Sequence, residues 1–166
     1  VLVALFIFPL IGFASGFIFT RLIYFLAQHA TPRINDFFKR SQLVTAIILG
    51  LSHGTNDAQK SMGIIVLGLV ISGRLQSFEV PLWVTVASAA SMAIGTSLAG
   101  WKIIRTLGGK FYKIRPLHSF ATQLTSGIVI LSASFFGAPV STSHVVSSAI
   151  IGVGASERLS KVRWSV

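Results

Sequence analysis

Two short polar clusters interrupt an otherwise apolar chain, and their side chains suit two different ions. The first is His53-Gly54-Thr55-Asn56-Asp57-Ala58-Gln59-Lys60, inside an apolar run from Leu43 to Ile71. A helix of that length can cross a bilayer, because about 20 residues at ~1.5 Å each match a ~30 Å hydrocarbon core. A carboxylate in the middle of such a span costs about 2.5–3.5 kcal/mol even on the lenient insertion scale, so it faces a cavity, an ion or a partner. Asp57, with the amide oxygen of Asn56 beside it, is a donor set for a cation. Gly54, Asn56 and Asp57 also suit a break in a helix, with His53 and Asn56 capping the ends. A broken helix is therefore expected at 53–60, at the depth where freed backbone groups serve as ligands. Lys60, three residues beyond Asp57, either pairs with it, attracts an anion, or extends its ammonium toward water.

The second cluster is Gly137-Ala138-Pro139-Val140-Ser141-Thr142-Ser143-His144. Pro139 fits the first turn of a new helix, where its missing N–H costs little. The backbone N–H groups after it, with the hydroxyls of Ser141, Thr142 and Ser143, would point at one spot and favour an oxyanion. The alternative is that these hydroxyls bond back to their own helix or to a neighbour. One cluster suits a cation and the other an anion, which together imply cation-coupled uptake of an anion.

Composition sets the class. The chain has 166 residues, a formal net charge of +10, 52% hydrophobic residues and 11% charged ones. Such a charge in a soluble protein would point to nucleic acid. With a mean hydropathy of +0.77 the apolar runs decide instead, and nucleic acid is excluded as a partner. The expected fold is all-α, a polytopic transmembrane helical protein in a lipid bilayer. There is no cysteine, hence no disulfide or thiolate chemistry, and no cofactor is expected beyond the coupling cation.

The elements follow from the apolar runs. Spans are expected at about 1–27, 43–71 and 81–100, with a helical hairpin or two short spans at 120–155. Gly12 and Gly16 form a G-x-x-x-G pattern that lets another helix approach closely, or they are ordinary membrane-helix glycines. Trp83 and Trp101 flank the third span as interfacial anchors do. Basic segments 28–42, 102–118 and 157–163 then share one face, and the positive-inside rule makes that face cytoplasmic. The chain has no initiator Met, and the apolar pattern suggests that residues 1–166 are part of a longer transmembrane domain.

At these residues the sequence resembles the inorganic phosphate transporter family. H-G-T-N-D-A-Q-K-S-M-G-I is similar to the family's His-Gly-x-Asn-Asp signature, and P-V-S-T-S-H-V-V-S-S-A-I-I-G-V-G to its hairpin signature. The intervening W-K-I-I-R-T-L-G and K-I-R-P-L-H-S-F-A-T-Q are also similar, so the resemblance covers most of the chain. It implies one half of an inverted-repeat transporter of a bacterial inner (plasma) membrane, with a broken helix and a hairpin, the first repeat being missing. By that resemblance Ser141, Thr142, Ser143, Asn56 and His144 contact inorganic phosphate, and Asp57, Asn56 and Thr55 form the coupling-ion region. Thr55 stands where many members have Ala or Ser, and Gln59-Lys60 where others have Ala-Asn. Both Na⁺ and H⁺ stay open as coupling ions, as does a homodimer.

Three rival readings stay open. Sulfate is also a tetrahedral dianion that the same donors would accept. An intramembrane metal-dependent hydrolase would use His53 and Asp57 at i,i+4 spacing with His144 as a further ligand and a serine nucleophile, although four acidic residues leave little for carboxylate chemistry. A purely structural subunit would tolerate Asp57→Asn.

Overall fold

The computed structural model describes residues 2–29, 31, 33–109, 115–138 and 140–157, which form five α-helices: α1 (Leu2–Leu26), α2 (Ile34–Ile71), α3 (Leu82–Gly109), α4 (Pro116–Phe135) and α5 (Thr142–Glu157). No strand occurs among the described residues, so the expected all-α fold is the observed one. Lys110, Lys113, Arg158, Lys161 and Arg163 of the basic segments, and Pro32 and Pro139 at the helix boundaries, lie outside the described residues.

The helix break expected at 53–60 is not there. α2 runs unbroken for 38 residues, about 57 Å at ~1.5 Å per residue. Helical spacing keeps it intact: His53, Asp57 and Lys60 stand at i, i+4 and i+7, so their side chains meet along one face and support the helix. Ser52 and Thr55 return their hydroxyls to the carbonyls of Ile48 and Leu51, at 2.8 Å each. Gly54 costs about 1 kcal/mol relative to Ala, offset by the side-chain pairs together with the packing of α2 on α4.

Two basic segments are also more helical than expected. α2 already begins at Ile34, with Asp36 in its first turn where a carboxylate suits the helix dipole. Phe38 anchors that end, buried against Phe120 of α4 with ring centroids 5.3 Å apart. α3 likewise continues past Lys102 to Gly109. Lys and Arg are good helix formers, so neither segment resists extension of its helix.

Packing sets the helix directions. Gln42 donates to the Pro116 carbonyl, Thr45 to Gln123 Oε1, and Asn56 to Ser134 Oγ, so α2 and α4 run parallel. α1 and α5 also run parallel, along a seam of glycines. A Cβ at Gly12 would lie 2.9 Å from the Val145 carbonyl oxygen, one at Gly16 2.7 Å from that of Ala149, and one at Gly152 would collide with the Phe13 carbonyl. The G-x-x-x-G pattern therefore admits α5. α4 and α5 are the antiparallel arms of a hairpin, so the ends of α1 and α5 and the starts of α2 and α4 gather at one end of the bundle. There Tyr24 Oη and His118 Nε2 are 2.8 Å apart, and Arg115 and His118 each approach Glu157 at 3.9 Å. The described residues of segments 28–42 and 115–118 thus lie at that end.

α2 and α4 each close at a glycine for a conformational reason. At the end of α4, Ala138 N–H reaches the Ala133 carbonyl and Gly137 N–H that of Ser134, with Gly137 at φ +63. Gly73, at φ +70, closes α2 with the same pair of bonds, from Arg74 to Leu69 and from Gly73 to Val70. This is the left-handed cap that glycine adopts without a Cβ penalty. Gly137→Ala is expected to lower stability by about 1 kcal/mol, read as a fall in thermal unfolding midpoint of the purified protein. An unchanged midpoint would show that the hairpin tip does not need this conformation.

The bundle buries many polar side chains among its apolar core and exposes many large apolar ones. Thr20, Ser52, Asn56, His118, Thr125, Ser126 and Thr142 are buried, while Phe6, Leu10, Leu51, Ile64, Leu82 and Leu98 are exposed. Water would not tolerate that distribution over so much surface, but lipid does. Leu5–Leu26 is long and apolar enough to cross a membrane, with a mean hydropathy of 1.8, and Leu82–Leu98 is a shorter apolar helix.

Candidate functional site

The two polar clusters meet. The middle of α2 faces the first turn of α5, and Asp57 is the point of contact. Its Oδ1 accepts from Lys60 Nζ at 2.8 Å and its Oδ2 lies 3.0 Å from His53 Nε2. Thr142 Oγ1, from α5, reaches Oδ2 at 3.4 Å and His53 Nε2 at the same distance. Lys60 Nζ also donates to the Val140 carbonyl, at 2.5 Å, and so bridges α2 to the strand of chain that opens α5. Both carboxylate oxygens are therefore engaged. Lys60 does not reach out toward water; it turns inward, the pairing that its i,i+3 spacing allows.

Asn56 lies on the adjoining face of α2, only 2% exposed. Its Nδ2 donates to Ser134 Oγ at 2.9 Å, and Ser134 passes a hydrogen bond to the Ile130 carbonyl at 3.0 Å. Asn56 Oδ1 is buried without a hydrogen-bond partner among the described residues. An amide oxygen stripped of water and left unpaired costs about 1–3 kcal/mol, which a bound donor or cation would recover.

The hydroxyls at the start of α5 do not converge. Successive helical residues point about 100° apart, so Ser141 to His144 fan around the helix. Thr142 is buried against α2, Ser141 is half-buried, and Ser143 and His144 are exposed. Convergence belongs to the backbone instead. The N–H groups of Thr142, Ser143 and His144 precede the first α-helical acceptor bond, Val145 N–H to the Ser141 carbonyl at 3.1 Å, so they lack partners within the helix. Thr55 faces away from Asp57, exposed, with its hydroxyl returned to Leu51.

Sequence reasoning missed three participants. Val140 contributes a backbone carbonyl, which no residue type announces. Ser134 ends α4 in an apolar stretch, and only its nearness to Gly137 in the chain could have marked it. His53 was weighed as a cap or metal ligand, whereas it hydrogen-bonds the carboxylate. Among the described residues no three His, Cys, Asp or Glu side chains gather to hold a metal ion. A groove of about 400 Å³ between α2 and α3 begins one turn beyond Asp57, at Ser61, and its lining has no titratable side chain.

An all-helical bundle with buried hydroxyls and amides, a lipid-suited exterior and a charged site at a hairpin mouth defines the class, a helical membrane protein. The profile described as the phosphate transporter family matches residues 26–166, and the chain belongs to that family. It is 44% identical over 163 residues to a "Probable low-affinity inorganic phosphate transporter" of Bacillus subtilis (strain 168), covering 97% of this chain and 49% of that one. A protein of the same name from Rhizobium meliloti (strain 1021) is 41% identical over 95% of this chain and 48% of its own. Another, from Mycobacterium tuberculosis (strain ATCC 25618 / H37Rv), is 40% identical over 91% of this chain and 37% of its own. The chain thus spans about half the length of the first two, or less of the third. No solved structure matches it. The family is one of transporters, not enzymes.

Proposed function

We propose that the full-length protein carries inorganic phosphate across a bacterial inner membrane together with a cation, Na⁺ or H⁺, by alternating access. The observation that carries this reading is the contact of Asp57 with the first turn of α5, through Thr142 at 3.4 Å and through Lys60 to Val140. It brings a carboxylate, suited to a cation, beside N–H groups that have no partner within their helix, suited to an oxyanion. A cation neutralises the carboxylate while the dipole end offsets the phosphate charge, so the pair crosses the apolar interior at lower cost than either alone.

Phosphate sits, in this reading, on the exposed first turn of α5, touching the backbone N–H groups and the hydroxyl of Ser143. The second half of the site comes from the rest of the polypeptide, in keeping with a chain half the length of its relatives. The hairpin enters from the basic end, which the positive-inside rule makes cytoplasmic. It turns back at mid-membrane depth, since α2 continues past its tip through residues 61–71, roughly 16 Å at ~1.5 Å per residue.

The test is phosphate uptake into proteoliposomes by the full-length protein under an imposed Na⁺ gradient or an imposed pH gradient, with sulfate as competitor. One gradient should accelerate uptake about tenfold or more, since 60 mV on a single charge is worth about 1.4 kcal/mol. Equal uptake with and without either gradient would overturn coupling. Sulfate inhibiting as strongly as unlabelled phosphate would overturn the substrate assignment.

A further inference from the structure

Lys60 holds an ammonium where a bound cation would sit. Its Nζ lies 2.8 Å from Asp57 Oδ1 and 2.5 Å from the Val140 carbonyl, a carboxylate and a carbonyl that are both ligands for a hard cation. The other carboxylate oxygen is taken by His53 and Thr142. In this arrangement a mobile cation finds neither oxygen of Asp57 free. The same Nζ lies beside the residue that precedes Ser141, next to the N-terminal turn of α5, and its stem has four rotatable bonds.

From this geometry we infer that Lys60 is a tethered counter-ion exchanged between two anions. With no substrate it neutralises Asp57 and pins α2 to the hairpin. When phosphate docks on the first turn of α5, a position that rests on the proposed function, the ammonium swings to it. Asp57 is then bare, and the coupling cation binds. Phosphate binding thus precedes cation binding, and the cation cannot leak through an empty transporter, because Lys60 occupies its place. No bond is made or broken; one ion pair is traded for another of similar length.

The exchange is tested by equilibrium binding of radiolabelled inorganic phosphate to the purified full-length protein, for wild type, Lys60→Gln, Lys60→Arg, Asp57→Asn and the Asp57→Asn/Lys60→Gln double variant. Lys60→Gln should weaken binding about tenfold or more, and Lys60→Arg, which keeps the charge, should stay within about threefold of wild type. Asp57→Asn releases Lys60 and should tighten binding by about threefold or more, a gain that vanishes in the Lys60→Gln background. Simple repulsion between Asp57 and phosphate would instead give the same gain in both backgrounds, which overturns the exchange. So does Lys60→Gln binding phosphate as well as wild type. If wild type binds no phosphate but binds sulfate with the same pattern across the variants, the exchange stands and the phosphate assignment falls. If it binds neither, both fall.

Discussion

Replacing Asp57 by Asn in the full-length protein is expected to reduce gradient-driven phosphate uptake by about a hundredfold or more. Truncating one partner of a buried, hydrogen-bonded charge pair costs about 2–5 kcal/mol, and 1.4 kcal/mol is tenfold. The Asp57 side chain is 24% exposed, which places the loss in the lower half of that range. Asn preserves shape and can still meet His53 and Thr142, so folding survives while the charge that pairs with Lys60 is gone. Because the released Lys60 remains available to phosphate, binding persists as transport disappears. Asp57→Glu keeps the charge one methylene out of place and should retain more uptake than Asp57→Asn. Uptake is measured in proteoliposomes at matched protein density; an Asp57→Asn protein that transports at the wild-type rate would remove Asp57 from the mechanism.

The largest effect on stability is expected at Gly152. A Cβ there collides with the backbone of Phe13, and at Gly16 it meets the Ala149 carbonyl and Cα at 2.7 and 3.2 Å. Backbone cannot rotate away as a side chain can, so α1 and α5 must separate along the whole seam. Gly152→Ala should destabilise by about 1–3 kcal/mol, as overpacking does, and Gly152→Leu by more. Gly50→Ala is the control, because nothing lies within 4 Å of a Cβ at Gly50. There the substitution should be neutral or raise the unfolding midpoint through better helix propensity, worth up to about 1 kcal/mol. Equal midpoints for Gly152→Ala and Gly50→Ala, in the purified full-length protein, would mean the seam does not hold the bundle.

That the two polar clusters matter was legible in the sequence, while the geometry that joins them was partly hidden. Asp57 within an apolar run marks itself, since few positions justify the cost of a charge there. The same stretch misled on local structure. Gly54, Asn56 and Asp57 weigh against a helix one by one, yet His53, Asp57 and Lys60 at helical spacing hold it together, and that support is invisible until the helix is assumed. Gly12 and Gly16 announced a close approach but not its partner, because contact partners depend on how five helices assemble. That three adjacent hydroxyls would fan apart followed from helical periodicity alone, once α5 was known to start at Thr142. The Val140 carbonyl had no signature at all.

The arms of the α4–α5 hairpin are fastened to different neighbours. α4 packs chiefly on α2 and α5 chiefly on α1, each more extensively than the arms pack on one another. Mechanically this is a pair of shears whose pivot is the turn at Gly137. A tilt of α1 against α2 would then reach that turn as a change of angle between the blades. Asp57 rides with one blade and Thr142 with the other, so the gap between the carboxylate and the N-terminal turn of α5 is a gauge of that angle. The electrostatic state of the site and the tilt of helices well away from it are thus two readings of a single coordinate.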